Sequence, residues 1–330
     1  MIDLSKNENT SNVLDVKDII LKLETNRYTF EQNYKLHDAL AKKYNLEPDN
    51  FILGCGSSDA IFMFMLAINE KAKLAKKSVE FIAPMPTFYV ILDFAKALNM
   101  DIKLIHLKDD FILNINDIKP SDDKFSIIYI SNPNNPTARM LTRSDLDYLN
   151  NICVDNNYFI LDEAYSEFVE DFESIKMASN PNILHARTMS KLYSIAGLRL
   201  GYGIACKDMI NAMNAFYNPD RINAFALYSA IYALSVENFV EDTRKIIAKN
   251  RAMVEDEFKA LDIFYYPSKT NFILHKIKDE KYRDFMLKNG IVVGNPIANH
   301  PLLNRISIGN ENEIKEFIKV LRLAKDAKLV

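Results

Sequence analysis

Two periodicities alternate along the middle of this chain. Short apolar runs at Phe51–Leu53, Val79–Ala83, Ile102–His106, Ile127–Ile130 and Tyr158–Leu161 have the length and the β-branched or aromatic content of strands. Between them, Asp59–Asn69, Val90–Leu98 and Thr142–Asn156 read as helices, the last opening on Thr142 as an N-cap. Upstream, Phe30–Tyr44 sets Tyr34, Leu40 and Tyr44 at helical spacing with lysines on the other side, which makes an amphipathic helix. The run Ile127–Ile130 is continuously apolar rather than alternating, as in strands buried on both faces. From Phe51 to Ala205 the pattern predicts an α/β fold in which helices sandwich a mostly parallel central sheet.

The ends read differently. Met1–Thr25 is polar and irregular, then helical around Val16–Leu23. After a helix near Lys207–Phe216, the long helical stretch Ala224–Leu261 links to a region, Phe264–Val330, that reads strand, helix, strand, strand, helix. This gives a large domain over residues 26–235 and a smaller α/β domain from 236–330, with residues 1–25 as an N-terminal arm; a chain of 330 residues has room for both.

Composition narrows the function classes. At 48% hydrophobic and 26% charged residues the chain has an ordinary globular balance. A net charge of −3 gives no electrostatic case for nucleic acid, and the lysines of Lys71–Lys77 read as a solvated helix end. The apolar run Ala60–Ile68 is too short to span a bilayer, and no apolar signal core follows Asp3. Cys55, Cys153 and Cys206 have no metal-ligand spacing, and the five histidines are scattered singly, so no metal is expected. An odd, dispersed cysteine set fits a reducing cytoplasm.

One stretch concentrates chemistry. Thr188–Gly203 holds the pair Ser190-Lys191, Arg199 eight positions later, and three of the chain's 8 glycines, Gly197, Gly201 and Gly203. That combination is suited to hold an anion beside an amine. A lysine amine can condense with an aldehyde, and pyridoxal phosphate as that aldehyde makes further demands: N–H groups, hydroxyls and an arginine fork for its phosphate, a carboxylate for its ring nitrogen, and donors for its phenolic oxygen. Upstream, Tyr158–Leu161 ends in Asp162 with Tyr165 three residues on, Phe125–Ser131 runs into Asn132-Pro133-Asn134-Asn135-Pro136-Thr137-Ala138, and Phe51–Gly54 turns through Gly56 to Ser57 and Ser58 at a helix start.

Together these motifs resemble the fold type I pyridoxal-phosphate aminotransferases, and within them the histidinol-phosphate aminotransferase family, in family order from Asn7-Glu8-Asn9 to Arg305. The resemblance implies an aspartate-aminotransferase-like large domain and a cytoplasmic homodimer that takes an amino group from glutamate. It assigns Lys191 as the Schiff-base lysine and proton carrier, Asp162 to the ring nitrogen, and Asn135 and Tyr165 to the phenolic oxygen. The phosphate falls to Ser57, Ser58, Ser190 and Arg199, joined by Tyr28 from the partner subunit. Phe88, or Tyr89 beside it, stacks on the ring, and Arg305, with Asn135, meets the substrate.

Two departures bear on substrate. Six residues precede Asn7, a short arm for the family, and Gly290-Ile291-Val292-Val293 is followed by Gly294 where the family commonly has a second arginine. The expected acceptor is a phosphorylated carbonyl compound of the histidinol-phosphate type or smaller, such as dihydroxyacetone phosphate. The alternative is decarboxylation of phosphorylated serine or threonine, which the shared motifs do not separate. A third departure, Ala138 in place of the family's glycine, matters if that position needs a positive φ.

Overall fold

The computed structural model describes residues 1–172 and 174–330. Seven strands build the main sheet: β1 (Phe51–Gly54), β2 (Val79–Met85), β3 (Asp101–His106), β4 (Phe125–Ser131), β5 (Asn157–Asp162), β6 (Ile183–Thr188) and β7 (Gly201–Ile204). Their order is β1-β7-β6-β5-β4-β2-β3. Neighbours from β6 to β3 run parallel, whereas β7 is antiparallel to both β6 and β1.

Adjacent residues of the central strands enter different cores. Phe81, Ile127, Tyr129 and Ile160 pack with Phe64 and Ile68 of helix Ser57–Leu74 and with Met209 and Met213 of helix Lys207–Asn214. Their neighbours Ile82, Ile128, Ile130, Phe159 and Leu161 pack with Leu146 and Leu149 of helix Arg143–Ile152. Both faces are therefore covered, which is why the strands read as unbroken apolar runs. Each such buried side chain contributes about 1.5–3 kcal/mol of transfer free energy.

A second, antiparallel sheet of β8 (Tyr265–Tyr266), β9 (Phe272–Lys276) and β10 (Leu303–Ser307) has the order β10-β9-β8. Ile2–Asp3 pairs in parallel with Ile291–Val292, which ties the N-terminus to this end of the molecule. Three expectations are corrected here. Ala224–Leu261 is two helices, Ala224–Ser235 and Phe239–Ala260, broken at Asn238, whose φ is 58°. The C-terminal region has an extra strand before its first helix, because β8 is only two residues long and carries no readable alternation. The helix expected around Val16–Leu23 is limited to Lys17–Ile20.

Parallel strands end on one edge of the main sheet, and ligands of such sheets bind beyond the carboxyl ends of the strands. Met85, Ser131, Asp162 and Thr188 end β2, β4, β5 and β6, and all four line one cleft of about 560 Å³.

Candidate active site

Asp162 ends β5 opposite Ser131 of β4. It is 4% exposed, and burial pushes its carboxyl up to about 6 against the pull of two donors. These are the Tyr129 hydroxyl at 2.7 Å and the Ala164 N–H at 3.2 Å. The adjacent Glu163 has a different environment. Burial opposes its charge too, but Arg187 at 2.7 Å and His185 at 3.2 Å hold the carboxyl down at about 2. Glu163 does not line the cleft, so it serves as the buried partner of Arg187.

Lys191 lies just beyond the end of β6, half-buried in the cleft. Its Nζ donates to the carbonyl oxygen of Lys6 at 3.0 Å and stands 5.7 Å from the centroid of the Tyr165 ring. Tyr165 is buried, and its hydroxyl accepts from Asn7 Nδ2 at 3.0 Å. Asn7 is itself held from several sides: its N–H donates to Ser307 Oγ at 2.7 Å, and its carbonyl accepts from Asn271 Nδ2 at 3.0 Å.

On another wall, helix Ser57–Leu74 starts after Gly56, which supplies no side-chain cap. The first N–H groups of a helix have no intrahelical acceptor, and the aligned peptide dipoles favour an anion there. Strand β7 passes so close that a Cβ on Gly201 would stand 2.2 Å from the Ser57 nitrogen. Arg199 adopts a left-handed conformation at φ 58°, and its guanidinium donates to Ala196 O at 2.8 Å and Ser190 Oγ at 3.4 Å. Ser57, Ser58, Ser190 and Arg199 all line the cleft. This cradle of hydroxyls, helix N–H groups and a guanidinium, with a buried carboxylate and an amine in the same cleft, fits a phosphorylated pyridine aldehyde.

Arg305 reaches the cleft from β10. One guanidinium nitrogen donates to Asn135 Oδ1 at 2.6 Å, another bonds the carbonyl of Ser5, and Nε is buried with no partner among the described residues. Burial depresses its pKa. Phe88 and Tyr89 both line the cleft, Phe88 half-buried and Tyr89 exposed. Tyr28 is 78% exposed and does not reach the cleft of its own chain. Ala138 has a φ of 58°, the conformation its family-pattern glycine would take without strain.

Several cleft residues were not assigned a role from the sequence. Lys6 and Asn7 are brought in by the pairing of the N-terminal strand, Thr87 by the turn after β2, and Asn295–Ala298 by the loop after Gly294. Only the tertiary fold joins these loops, although the run Asn7-Glu8-Asn9 marked the first of them. Among the described residues no cluster suited to a metal ion occurs, and no helix is long and apolar enough to cross a membrane.

Comparisons with known proteins find relatives along nearly the whole chain. The family model described as "Aminotransferase class I and II" matches residues 1–321. A histidinol-phosphate aminotransferase of Pyrococcus furiosus is 32% identical over 308 residues, spanning 93% of this chain and 86% of that protein. The crystal structure of the histidinol-phosphate aminotransferase from Clostridium acetobutylicum superposes with a TM-score of 0.86 at 24% identity, over 99% of this chain and all of that one (100%). The L-threonine-O-3-phosphate decarboxylase of Porphyromonas gingivalis shares the fold as well, at a TM-score of 0.81 and 20% identity over 99% and 100% of the two chains.

Proposed function

The chain belongs to the class I and II aminotransferases, and we propose that it moves an amino group from glutamate to a small phosphorylated carbonyl compound. It is a pyridoxal-phosphate-dependent enzyme. When bound, pyridoxal 5'-phosphate supplies an aldehyde that accepts the amino group and a ring that withdraws electrons from the reacting carbon.

In this reading, Ser57, Ser58, Ser190 and Arg199 bind the cofactor phosphate, joined by Tyr28 from a second copy of the chain. Asp162, ionised, pairs with the ring nitrogen in a dry site where that pairing is strong. Asn135 and Tyr165 donate to the phenolic oxygen, and Asn7 holds the Tyr165 hydroxyl in place. Phe88 covers one face of the ring. Lys191 Nζ, once released from the Lys6 carbonyl, moves a proton to and from the substrate α-carbon. Arg305, which lines the cleft, forks onto the substrate's carboxylate or phosphate.

One observation carries the reading. An amine (Lys191), a buried carboxylate (Asp162), a phenol (Tyr165) and two guanidinium groups (Arg199 and Arg305) line the same cleft. The acceptor's small size is supported by Gly294. Its N–H bonds the Arg305 carbonyl at 2.9 Å, and a Cβ there would lie 2.4 Å from that oxygen. No side chain fits at 294, so Arg305 and Lys6 remain as the cleft cations for substrate once Lys191 and Arg199 are assigned to the cofactor. A homodimer is supported by the exposed aromatic residues Tyr28, Phe30 and Tyr34, and a cytoplasmic setting by the free thiols of Cys55, Cys153 and Cys206.

The test is the visible spectrum of the cofactor-loaded protein, with glutamate added and no acceptor. Bleaching of the band, followed by recovery with a phosphorylated ketone, is the expected outcome. An unchanged band together with CO₂ release from phosphoserine or phosphothreonine would replace amino transfer with decarboxylation. If histidinol phosphate is strongly preferred over triose-sized ketones, the small-acceptor assignment fails.

A further inference from the structure

Tyr129 lies behind the site, not in it. It sits on β4 opposite Ile160 of β5, two pairs before the Ser131–Asp162 pair that ends both strands. Its side chain is wholly buried, stacked on Phe81 with ring centroids 6.1 Å apart. It does not line the cleft, yet its hydroxyl donates to Asp162 Oδ2 at 2.7 Å. We propose that Tyr129 is a positioning residue for Asp162: its hydroxyl locks the carboxylate rotamer and, as a donor, favours the ionised form.

The geometry supports an oriented role. The Ala164 N–H holds Oδ1 from the cleft wall and Tyr129 holds Oδ2 from behind it, so the carboxylate is gripped at both oxygens. Short hydrogen bonds to a charged acceptor are roughly twice as strong as neutral ones. The other ionisable groups around Asp162 do not replace this donor. Glu163, next in the chain, opposes its charge; Lys191 favours it, but its Nζ is bonded to Lys6. Burial alone drives the carboxyl toward its neutral form, and the hydrogen bond from the phenol is the strongest opposing influence. A buried tyrosine hydroxyl needs some partner for stability alone. That purely structural reading predicts a weaker fold in its absence, with no change in the behaviour of Asp162.

This inference rests on the assignment of Asp162 to the cofactor ring nitrogen, so its test begins without cofactor. Infrared difference titration of the ligand-free protein, with Asp162→Asn identifying the band, reads the Asp162 carboxyl directly. Tyr129→Phe is expected to move that titration to higher pH. A fluorinated tyrosine installed at 129, a stronger donor of the same shape, is expected to move it to lower pH, and this second variant keeps the test decisive if Tyr129→Phe folds poorly. In the same variants, pyridoxal phosphate should bind Tyr129→Phe roughly tenfold to a hundredfold more weakly at neutral pH, the range of one hydrogen bond to a charged group. An Asp162 titration unmoved in both variants overturns the proposal whatever the enzyme's reaction is. A moved titration with unchanged cofactor affinity keeps the Tyr129–Asp162 coupling and overturns instead the assignment of Asp162 to the cofactor.

Discussion

Gly201 and the Ser57 amide occupy adjacent space with none to spare: a Cβ on Gly201 would stand 2.2 Å from the Ser57 nitrogen and 2.4 Å from the Gly56 carbonyl carbon. The obstructing atoms are backbone, so no side-chain rotation relieves the contact. Gly201→Ala should push β7 away from the start of helix Ser57–Leu74 and widen the phosphate cradle. The expected cost is about 1–3 kcal/mol of stability, typical of overpacking, together with a large loss of affinity for pyridoxal phosphate. Thermal melting with and without cofactor checks both. A variant that melts lower but still gains the wild-type stabilisation from cofactor would show that the close approach serves packing alone.

Lys191→Ala should abolish amino transfer and leave the fold intact. The amine makes one hydrogen bond, to the Lys6 carbonyl, so its loss should change stability by no more than about 0.5 kcal/mol. Proton transfer alone accounts for roughly 10²–10⁴-fold in rate. Single-turnover kinetics with glutamate, beside a melting curve, separate these effects. Wild-type turnover in a folded variant would remove Lys191 from the mechanism.

How much of this was legible beforehand follows from where each signal lies. The strand-end positions of Asp162 and Ser131 could be read because parallel strands buried on both faces announce themselves as apolar runs that stop abruptly. The cradle was legible through scarce glycine, with Gly201 and Gly203 beside Ser190, Lys191 and Arg199. Asn7's contact with Tyr165 was not, because it spans 158 residues and depends on the two-residue pairing of Ile2–Asp3 with Ile291–Val292. Nor was Tyr129. In sequence it is one more apolar residue of Phe125–Ser131, and only the register against β5 brings its hydroxyl to a carboxylate.

His275 gives the fold an acid-sensitive point. It is fully buried on β9, against the rings of Phe258 and Tyr282, with neither ring nitrogen hydrogen-bonded among the described residues. Burial, helped by Arg283, pushes its pKa from 6.5 down to about 3. The folded state thus keeps the neutral form over a range where the unfolded chain takes up a proton. Stability is unaffected above about pH 6.5, falls as pH drops below it, and stops falling from this source below about pH 3. At pH 5 the loss is about 2 kcal/mol, from 1.5 pH steps at about 1.36 kcal/mol each. Urea unfolding at pH 7 and pH 5 should show this difference in the wild type and not in His275→Phe. An equal drop in both proteins would assign the acid sensitivity elsewhere.

Arg305 is expected to set affinity for the anionic end of the substrate. Its guanidinium is anchored by Asn135 and Ser5 through its two terminal nitrogens. A planar fork held in this way can meet a carboxylate or phosphate through two parallel bonds, whereas an ammonium offers a point charge. Arg305→Lys keeps the charge and loses both the fork and the link to Asn135. If the guanidinium contacts substrate equally in the bound complex and during reaction, KM rises and kcat holds. Loss of one charged hydrogen bond predicts a KM roughly tenfold to a hundredfold higher for glutamate and for a phosphorylated acceptor. A fall in kcat at constant KM would instead mean that the Asn135 link, and through it the cofactor's phenolic oxygen, was the part that mattered. An unchanged pair of constants would remove Arg305 from substrate recognition and leave Lys6 as the remaining cation of the cleft to examine.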